Sequence, residues 1–153
     1  MERYIYKSLK SWKDSPNRKP LILQGARQVG KTYILKEFGK REYDNVVYIN
    51  CDDNDDMKDM FVDYDIKRII RSISAISGVS ITPSSTLIIL DEIQEINRGL
   101  SSLKYFCEKA PEYHVAVAGS LLGITLHEGS TLVVLLNSLR LLLPNKKDIE
   151  GEL

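Results

Sequence analysis

The sequence is poor in the residues that hold small secreted domains and zinc sites together. Its 153 residues include only two cysteines, Cys51 and Cys107, and two histidines, His114 and His127. Neither cysteine has a second cysteine or a histidine near it at the spacing of a zinc site. Two isolated thiols are typical of buried small residues in a cytosolic chain. These shortages argue against a disulfide scaffold and against a structural zinc site.

Excess charge and long apolar segments are also missing. The 21 Lys and Arg residues balance the 21 Asp and Glu residues, so no global field would draw the protein to nucleic acid or to an anionic membrane. The longest apolar run, residues 132–143, is too short to span a bilayer and contains polar residues. The first residues lack the apolar segment of a signal peptide. We therefore expect a cytoplasmic protein with no membrane partner.

What the chain does contain is an alternation of apolar runs and helical patterns. Four short apolar runs predict buried strands, at residues 20–24, 45–50, 86–90 and 115–118. Four patterns with the helical period predict helices, at residues 2–13, 33–38, 66–76 and 98–109. Strands that alternate with helices predict a parallel sheet in a layered α/β domain, and a length of 153 residues suits a single domain.

Helix ends and faces follow from particular residues. The N-terminal helix is amphipathic, with one face formed by Tyr4, Ile5, Leu9 and Trp12. The second helix is expected to stop at Gly39, because glycine commonly ends helices. The third is expected to begin after the capping residue Asp65 and to end at Gly78.

The most specific motif follows the first predicted strand. It reads Gly25-Ala26-Arg27-Gln28-Val29-Gly30-Lys31-Thr32, which fits G-x-x-x-x-G-K-[ST] between a strand and a helix. The glycines let backbone N–H groups approach phosphate oxygens at the positive end of the helix. Lys31 would reach the β- and γ-phosphates, and the Thr32 hydroxyl would ligate Mg²⁺. The motif predicts a nucleotide-binding protein, and leaves open whether Arg27 contacts phosphate, a neighbouring subunit or the sheet edge.

A pair of carboxylates follows the third predicted strand. Asp91 and Glu92 come directly after an apolar run, and ligands of parallel sheets bind at the carboxyl ends of strands. Asp91 would hold Mg²⁺ through its water shell, while Glu92 would polarise a water for attack on the γ-phosphate. The alternative is that these carboxylates only cap the next helix. Glu92 favours hydrolysis over transfer of phosphate to a small molecule.

The fourth predicted strand ends in Gly119 and Ser120. A small polar side chain at this strand end would hydrogen-bond the γ-phosphate or the attacking water. The alternative is a glycine turn followed by a serine that caps a helix.

These segments together resemble a family of ATPases. GARQVGKT, the VVYIN strand, LIILDEIQ, the LKYFCE helix and HVAVAGSLLG resemble bacterial and archaeal AAA+-type ATPases, which often carry a C-terminal nuclease-like domain. The resemblance covers about residues 3–127. It implies a three-layer P-loop NTPase fold, with a parallel sheet of strand order 5-1-4-3-2 and ATP at its carboxyl edge. It also implies that Lys31 and Thr32 are the Walker A pair. Asp91 and Glu92 would be the Walker B pair, and Ser120 would be sensor 1.

The resemblance ends near Gly129. We expect residues 1–129 to form the ATP-binding core with its N-terminal amphipathic helix, and residues 130–153 to form a divergent tail. Members of the family normally continue into another strand, a helical segment and the C-terminal domain. This break leads to the hypothesis that the chain is a truncated or frameshifted copy.

The predicted activity is Mg²⁺-dependent ATP binding with slow hydrolysis. Hydrolysis is expected to be slow because an arginine finger is worth about 10³ to 10⁵ in rate, and no residue of the sequence clearly supplies one. A homo-oligomer or a protein partner fits the family, and a role for nucleic acid stays open. The alternatives are a nucleotide-gated interaction module, a small-molecule phosphotransferase and a non-functional remnant. The sequence has no guanine-reading N-K-x-D tetrapeptide, which weakly favours adenine.

Overall fold

The computed structural model of the protein describes residues 2–25, 30–52, 55–96, 98–119 and 132–136. Within these residues the helices are α1 (Glu2–Asp14), α2 (Lys31–Glu42), α3 (Ile66–Ser77) and α4 (Gly99–Lys109). The strands are β1 (Leu21–Gly25), β2 (Asn45–Asn50), β3 (Thr86–Asp91), β4 (His114–Gly119) and β5 (Leu132–Leu136). Two short 3₁₀ turns lie at Asp55–Met57 and Ile93–Glu95. All eight predicted elements are present, with some of their ends shifted.

The strands form one parallel sheet in the order β2-β3-β4-β1-β5. Read from the β5 edge, this is the order 5-1-4-3-2. Strands β3 and β4 are buried along their whole length, as expected for strands of a parallel sheet that is covered on both faces. Strand β5 lies in the segment expected to be a divergent tail, and it pairs with β1 from Leu21↔Leu132 to Gly25↔Leu136.

Helices cover both faces of the sheet, because successive side chains of a strand point to opposite sides. Helices α3 and α4 pack on the face that carries Ile88 and Leu90 of β3 and Val115 and Val117 of β4. Helices α1 and α2 pack on the face that carries Leu87 and Ile89 of β3 and Ala116 and Ala118 of β4. The result is a three-layer α/β domain with a separate apolar core on each face of the sheet.

Helix α1 is amphipathic, although its buried face is narrower than expected. Ile5, Leu9 and Trp12 are buried against the sheet, whereas Tyr4 is 57% exposed. Residues 5, 9 and 12 are spaced by three or four positions and therefore lie on one face of α1. Tyr4 directly precedes Ile5 and projects from the helix in a different direction.

The predicted ends of α3 are confirmed. The Asp65 carboxylate accepts a hydrogen bond from the Arg68 backbone N–H at 3.2 Å, which caps the first turn. Gly78 ends the helix in the left-handed conformation, with φ of +73°.

The prediction that α2 stops at Gly39 is wrong, because the helix continues to Glu42. Gly39 is instead the point where the helix lies closest to the sheet. A Cβ atom added there would stand 2.6 Å from Val46 Cγ2 and 3.1 Å from Leu87 Cδ2. The glycine thus serves close packing on β2 and β3.

Candidate functional site

The carboxyl ends of four strands form the edge at which the predicted site residues meet. Asn50 of β2 lies in register with Asp91 of β3, and Gln24 of β1 lies in register with Gly119 of β4. Helix α2 begins at this edge, directly after Gly30. The first backbone N–H groups of a helix and the positive end of its dipole attract anions. The topology therefore gives this edge an anion-attracting group beside a carboxylate.

Gly30 turns the chain into α2 with a left-handed backbone, at φ of +83° and ψ of +20°. This conformation is unfavourable for residues with a Cβ atom, which explains the second glycine of the motif. Gly25 is the last residue of β1. The remaining predicted site residues, Ala26, Arg27, Gln28, Val29 and Ser120, lie outside the described residues.

Lys31 is the first residue of α2 and is almost fully buried, with 6% of its surface exposed. Its ammonium group donates a hydrogen bond to the Gly119 carbonyl oxygen at 3.0 Å. An ammonium group is costly to bury unless it has hydrogen-bond partners. This contact holds the Lys31 charge at the end of β4, beside the start of α2.

Thr32 and Asp91 are joined directly, although 59 residues separate them in the sequence. The Thr32 hydroxyl donates to Asp91 Oδ2 at 2.8 Å, and the Tyr48 hydroxyl donates to the same oxygen at 2.7 Å. Burial and the hydrogen bond to Asp91 raise the pKa of Tyr48, so its hydroxyl remains a donor at neutral pH. The Asp91 side chain is thus held by partners from α2 and β2.

The oxygen atoms at this point fit a magnesium ion. Mg²⁺ prefers oxygen ligands and is usually held by one or two carboxylates together with phosphate oxygens and waters. Thr32 and Asp91 supply a hydroxyl and a carboxylate side by side. Among the described residues, no group of three or more His, Cys, Asp or Glu side chains forms a metal cage. Phosphate oxygens and waters commonly complete the coordination of a magnesium ion held in this way.

Glu92 has an unusual backbone conformation at the end of β3. It is left-handed, with φ of +56°, and its N–H donates to the Ala118 carbonyl oxygen at 2.9 Å. Such conformations cost about 1–3 kcal/mol and are concentrated at functional sites. The side-chain amide of Gln94 donates to the Glu92 carboxylate. The Gln94 Oε1 atom is buried and has no hydrogen-bond partner among the described residues.

These groups line an open cleft of about 520 Å³. The residues around it include Gly30, Lys31, Thr32, Asn50, Asp91 and Glu92. Its volume lies within the range of about 300–1,000 Å³ that is typical of small-ligand sites. Cys51 lies next to this edge, and burial together with the negative charges of Asp91 and Glu92 raises the pKa of its thiol to about 12. Cys51 is therefore a protonated, unreactive thiol at neutral pH.

No motif of the sequence predicts the contacts of Tyr48 and Gln94 with the two carboxylates. Tyr48 was part of an apolar strand, and its contact with Asp91 depends on the pairing of β2 with β3. Gln94 lies two residues after Glu92 in the same motif, so its nearness in sequence was a usable signal.

The sequence and the fold both have known relatives. A family model described as "AAA domain" matches residues 17–142, which extends past the expected boundary at residue 129. A similar solved structure is a chain of the Drosophila ORC complex bound to AT-rich DNA and Cdc6, with 12% identity and a TM-score of 0.54. The match covers 90% of this chain and 53% of that chain, so the protein spans about half the length of this structural relative. No curated protein matches the sequence.

At 12% identity the structural likeness concerns the fold alone, which is the α/β fold of P-loop NTPases. Among the described residues, no helix has the length and apolar character needed to cross a membrane.

Proposed function

Since the chain belongs to the AAA domain family and has a nucleotide-binding domain of the AAA+ type, we propose that it binds ATP together with Mg²⁺. We further propose that it hydrolyses ATP slowly. The observation that carries the proposal is the 2.8 Å hydrogen bond between Thr32 and Asp91. It joins the start of α2 to the end of β3, and so brings a helix start and a carboxylate to one edge of the sheet.

The proposed binding roles follow from charge and position. In this proposal the backbone N–H groups of residues 25–30 bind the phosphates, and Lys31 neutralises the β- and γ-phosphates. When bound, Mg²⁺ would supply positive charge that neutralises the negative charge developing during hydrolysis. Thr32 and Asp91 would hold this ion with oxygen atoms.

The proposed hydrolytic role belongs to Glu92. Its carboxylate orients a water for in-line attack on the γ-phosphate, and Ser120 contacts the γ-phosphate or that water. An arginine finger is worth about 10³- to 10⁵-fold in rate. In this proposal a second copy or a protein partner supplies it, so the isolated chain hydrolyses ATP slowly. We also propose that the protein acts in the cytoplasm.

A second candidate function is supported by the contact between Gln94 and Glu92. The Gln94 amide donates a hydrogen bond to Oε2 of the Glu92 carboxylate, the group proposed to orient water. A chain in which this contact persists with ATP bound would be a nucleotide-gated interaction module, which binds ATP and releases almost no phosphate.

Phosphate release and nucleotide binding, measured side by side, separate the two candidates. For hydrolysis, Glu92→Gln should bind Mg·ATP as the wild type does and release phosphate at least about 100-fold more slowly, since a general base contributes about 10²- to 10⁴-fold. Glu95→Gln is the matched control, because Glu95 is an exposed residue of the 3₁₀ turn that directly follows Glu92. Binding without phosphate release by the wild type would favour the interaction module. Hydrolysis by Glu92→Gln at the wild-type rate would contradict the role of Glu92.

A further inference from the structure

We propose that Tyr48 is a positioning residue that orients the Asp91 carboxylate for the magnesium ion of the bound nucleotide. The Tyr48 hydroxyl donates to Asp91 Oδ2 at 2.7 Å, and the Thr32 hydroxyl donates to the same oxygen at 2.8 Å. The inference rests on the function proposed above, in which Asp91 helps to hold the metal. It adds a residue of β2 to a site built from the phosphate loop and β3.

The register of the sheet explains how Tyr48 reaches Asp91. Tyr48 of β2 pairs with Ile89 of β3, and Asn50 pairs with Asp91. Tyr48 and Asp91 are therefore diagonal neighbours on adjacent strands, a distance that an aromatic side chain spans. Both side chains lie on the face of the sheet that α2 covers, since both contact residues of that helix.

Two donors on one oxygen restrict the carboxylate in a way that one donor would not. The terminal torsion of an aspartate has broad, roughly two-fold preferences, so a single hydrogen bond leaves it free to swing. Here Thr32 holds the group from α2 and Tyr48 holds it from β2. Mg²⁺ demands near-ideal octahedral geometry, which makes its affinity sensitive to the orientation of a ligand. Mutation of a residue that hydrogen-bonds a metal ligand typically lowers the affinity for the metal by about 10- to 100-fold.

Lys36 holds the Tyr48 ring in turn. Its ammonium group lies 3.8 Å from the centre of the ring, in a cation–π contact. Lys36 follows Thr32 by four residues, so both project from the same side of α2. Three successive contacts thus connect α2, β3 and β2: Thr32 with Asp91, Asp91 with Tyr48, and Tyr48 with Lys36.

The test is a titration with Mg²⁺ at a fixed concentration of a fluorescent ATP analogue, performed on the whole chain. Tyr48→Phe removes the hydroxyl and keeps the ring under Lys36. We expect it to raise the Mg²⁺ concentration at half-saturation by about tenfold or more, while the affinity for the nucleotide in EDTA stays near the wild-type value. Lys36→Met should shift the Mg²⁺ response in the same direction by a smaller factor.

Tyr43→Phe is the matched control, because Tyr43 is a tyrosine away from the site, whose hydroxyl lies 2.5 Å from His114 Nδ1. It should lower thermal stability without changing the Mg²⁺ response. A Tyr48→Phe titration that coincides with the wild type, or a loss of affinity that is equal in EDTA and in Mg²⁺, would overturn the inference while the proposed function stands. A wild-type chain whose nucleotide binding ignores Mg²⁺ would overturn both. Should Tyr48→Phe fail to fold, an unchanged Mg²⁺ response of Lys36→Met overturns the inference.

Discussion

Asp91 is the residue at which the contacts of the site converge. Its carboxylate accepts hydrogen bonds from Thr32 and Tyr48, and its backbone carbonyl accepts from the Cys51 N–H at 2.8 Å. The buried ammonium group of Lys31 lies at the end of the adjacent strand β4. At this scale, the site is a carboxylate and an ammonium group held at neighbouring strand ends by hydrogen bonds.

Gly30 is a residue at which a single added methyl group should weaken both folding and binding. Its φ of +83° is strained for any residue with a Cβ atom, and among the described residues no atom beyond its chain neighbours lies within 4 Å of the position that a Cβ would take. Gly30→Ala should therefore lower the free energy of unfolding by about 1–2 kcal/mol through backbone strain alone. The substitution should also displace the backbone at the start of α2, where the phosphates are proposed to bind. We therefore expect the affinity for Mg·ATP to fall by about tenfold, which corresponds to about 1.4 kcal/mol. Urea unfolding and calorimetric titration measure the two effects.

Gly78→Ala is the control for this prediction. Gly78 also has a left-handed backbone, with φ of +73°, and equally open surroundings at the end of α3. It should lose comparable stability and keep its Mg·ATP affinity. Equal losses of affinity in both variants would show that Gly30 has no special role at the site.

At the scale of elements, the two ends of the sheet have different chemistry. The carboxyl end of β3 carries the Asp91 carboxylate and that of β4 contacts Lys31, whereas the start of β4 is packed among aromatic rings. His114, the first residue of β4, is 3% exposed and makes edge contacts with Trp12 of α1 and with Tyr43. This cluster joins β4 to α1 and to the residue that follows α2, at the end of the sheet away from the cleft.

The element-scale prediction follows from the burial of His114. Burial, together with the charges of Arg18 and Lys13, lowers the pKa of His114 from 6.5 to about 4. Between these pH values the unfolded chain binds a proton at this residue and the folded chain does not, so stability must fall as the pH falls from 6.5 towards 4. The loss should be on the order of 3 kcal/mol. Chemical unfolding measured across this pH range tests the expectation.

His114→Gln is the variant to compare, because it keeps a neutral polar side chain beside Tyr43. Its stability should change much less across the same pH range. An equal pH dependence in the wild type and in this variant would contradict the role of His114. Hydrogen bonds from Lys10 and from Arg68 hold the pKa values of Glu42 and Asp63 below their usual ranges, so these carboxyl groups lose stabilisation mainly below pH 4.5.

Local patterns predicted the elements well, and they failed where a contact between elements decides the outcome. The apolar runs located β1 to β4, and the capping residues located both ends of α3. Gly39 was misinterpreted because local preference makes glycine a helix terminator, while the observed glycine is required by Val46 of β2. Tyr48 was missed for a related reason, since its contact exists only once β2 and β3 are paired.

At the scale of the whole molecule, the apolar cores and the cleft occupy different parts of the sheet. The apolar cores lie on the two faces of the sheet, and the cleft lies at its carboxyl edge. Strand β5 pairs with the side of β1 that would otherwise be an edge of the sheet, and β5 lies within the residues matched by the family model. Thr32, Asp91 and Glu92 belong to neither core, so variants at these three positions report on binding.

The most direct test of nucleotide binding is a calorimetric titration of the whole chain with Mg·ATP and Mg·GTP, repeated for Lys31→Ala and Lys40→Ala. We predict saturable binding of Mg·ATP by the wild type and by Lys40→Ala, because Lys40 is an exposed lysine of α2 in an ion pair with Glu37 at 3.5 Å. Lys31→Ala should bind no nucleotide while it remains folded, and Mg·GTP should bind more weakly than Mg·ATP. Wild-type affinity in folded Lys31→Ala, or no binding by the wild type, would contradict the account.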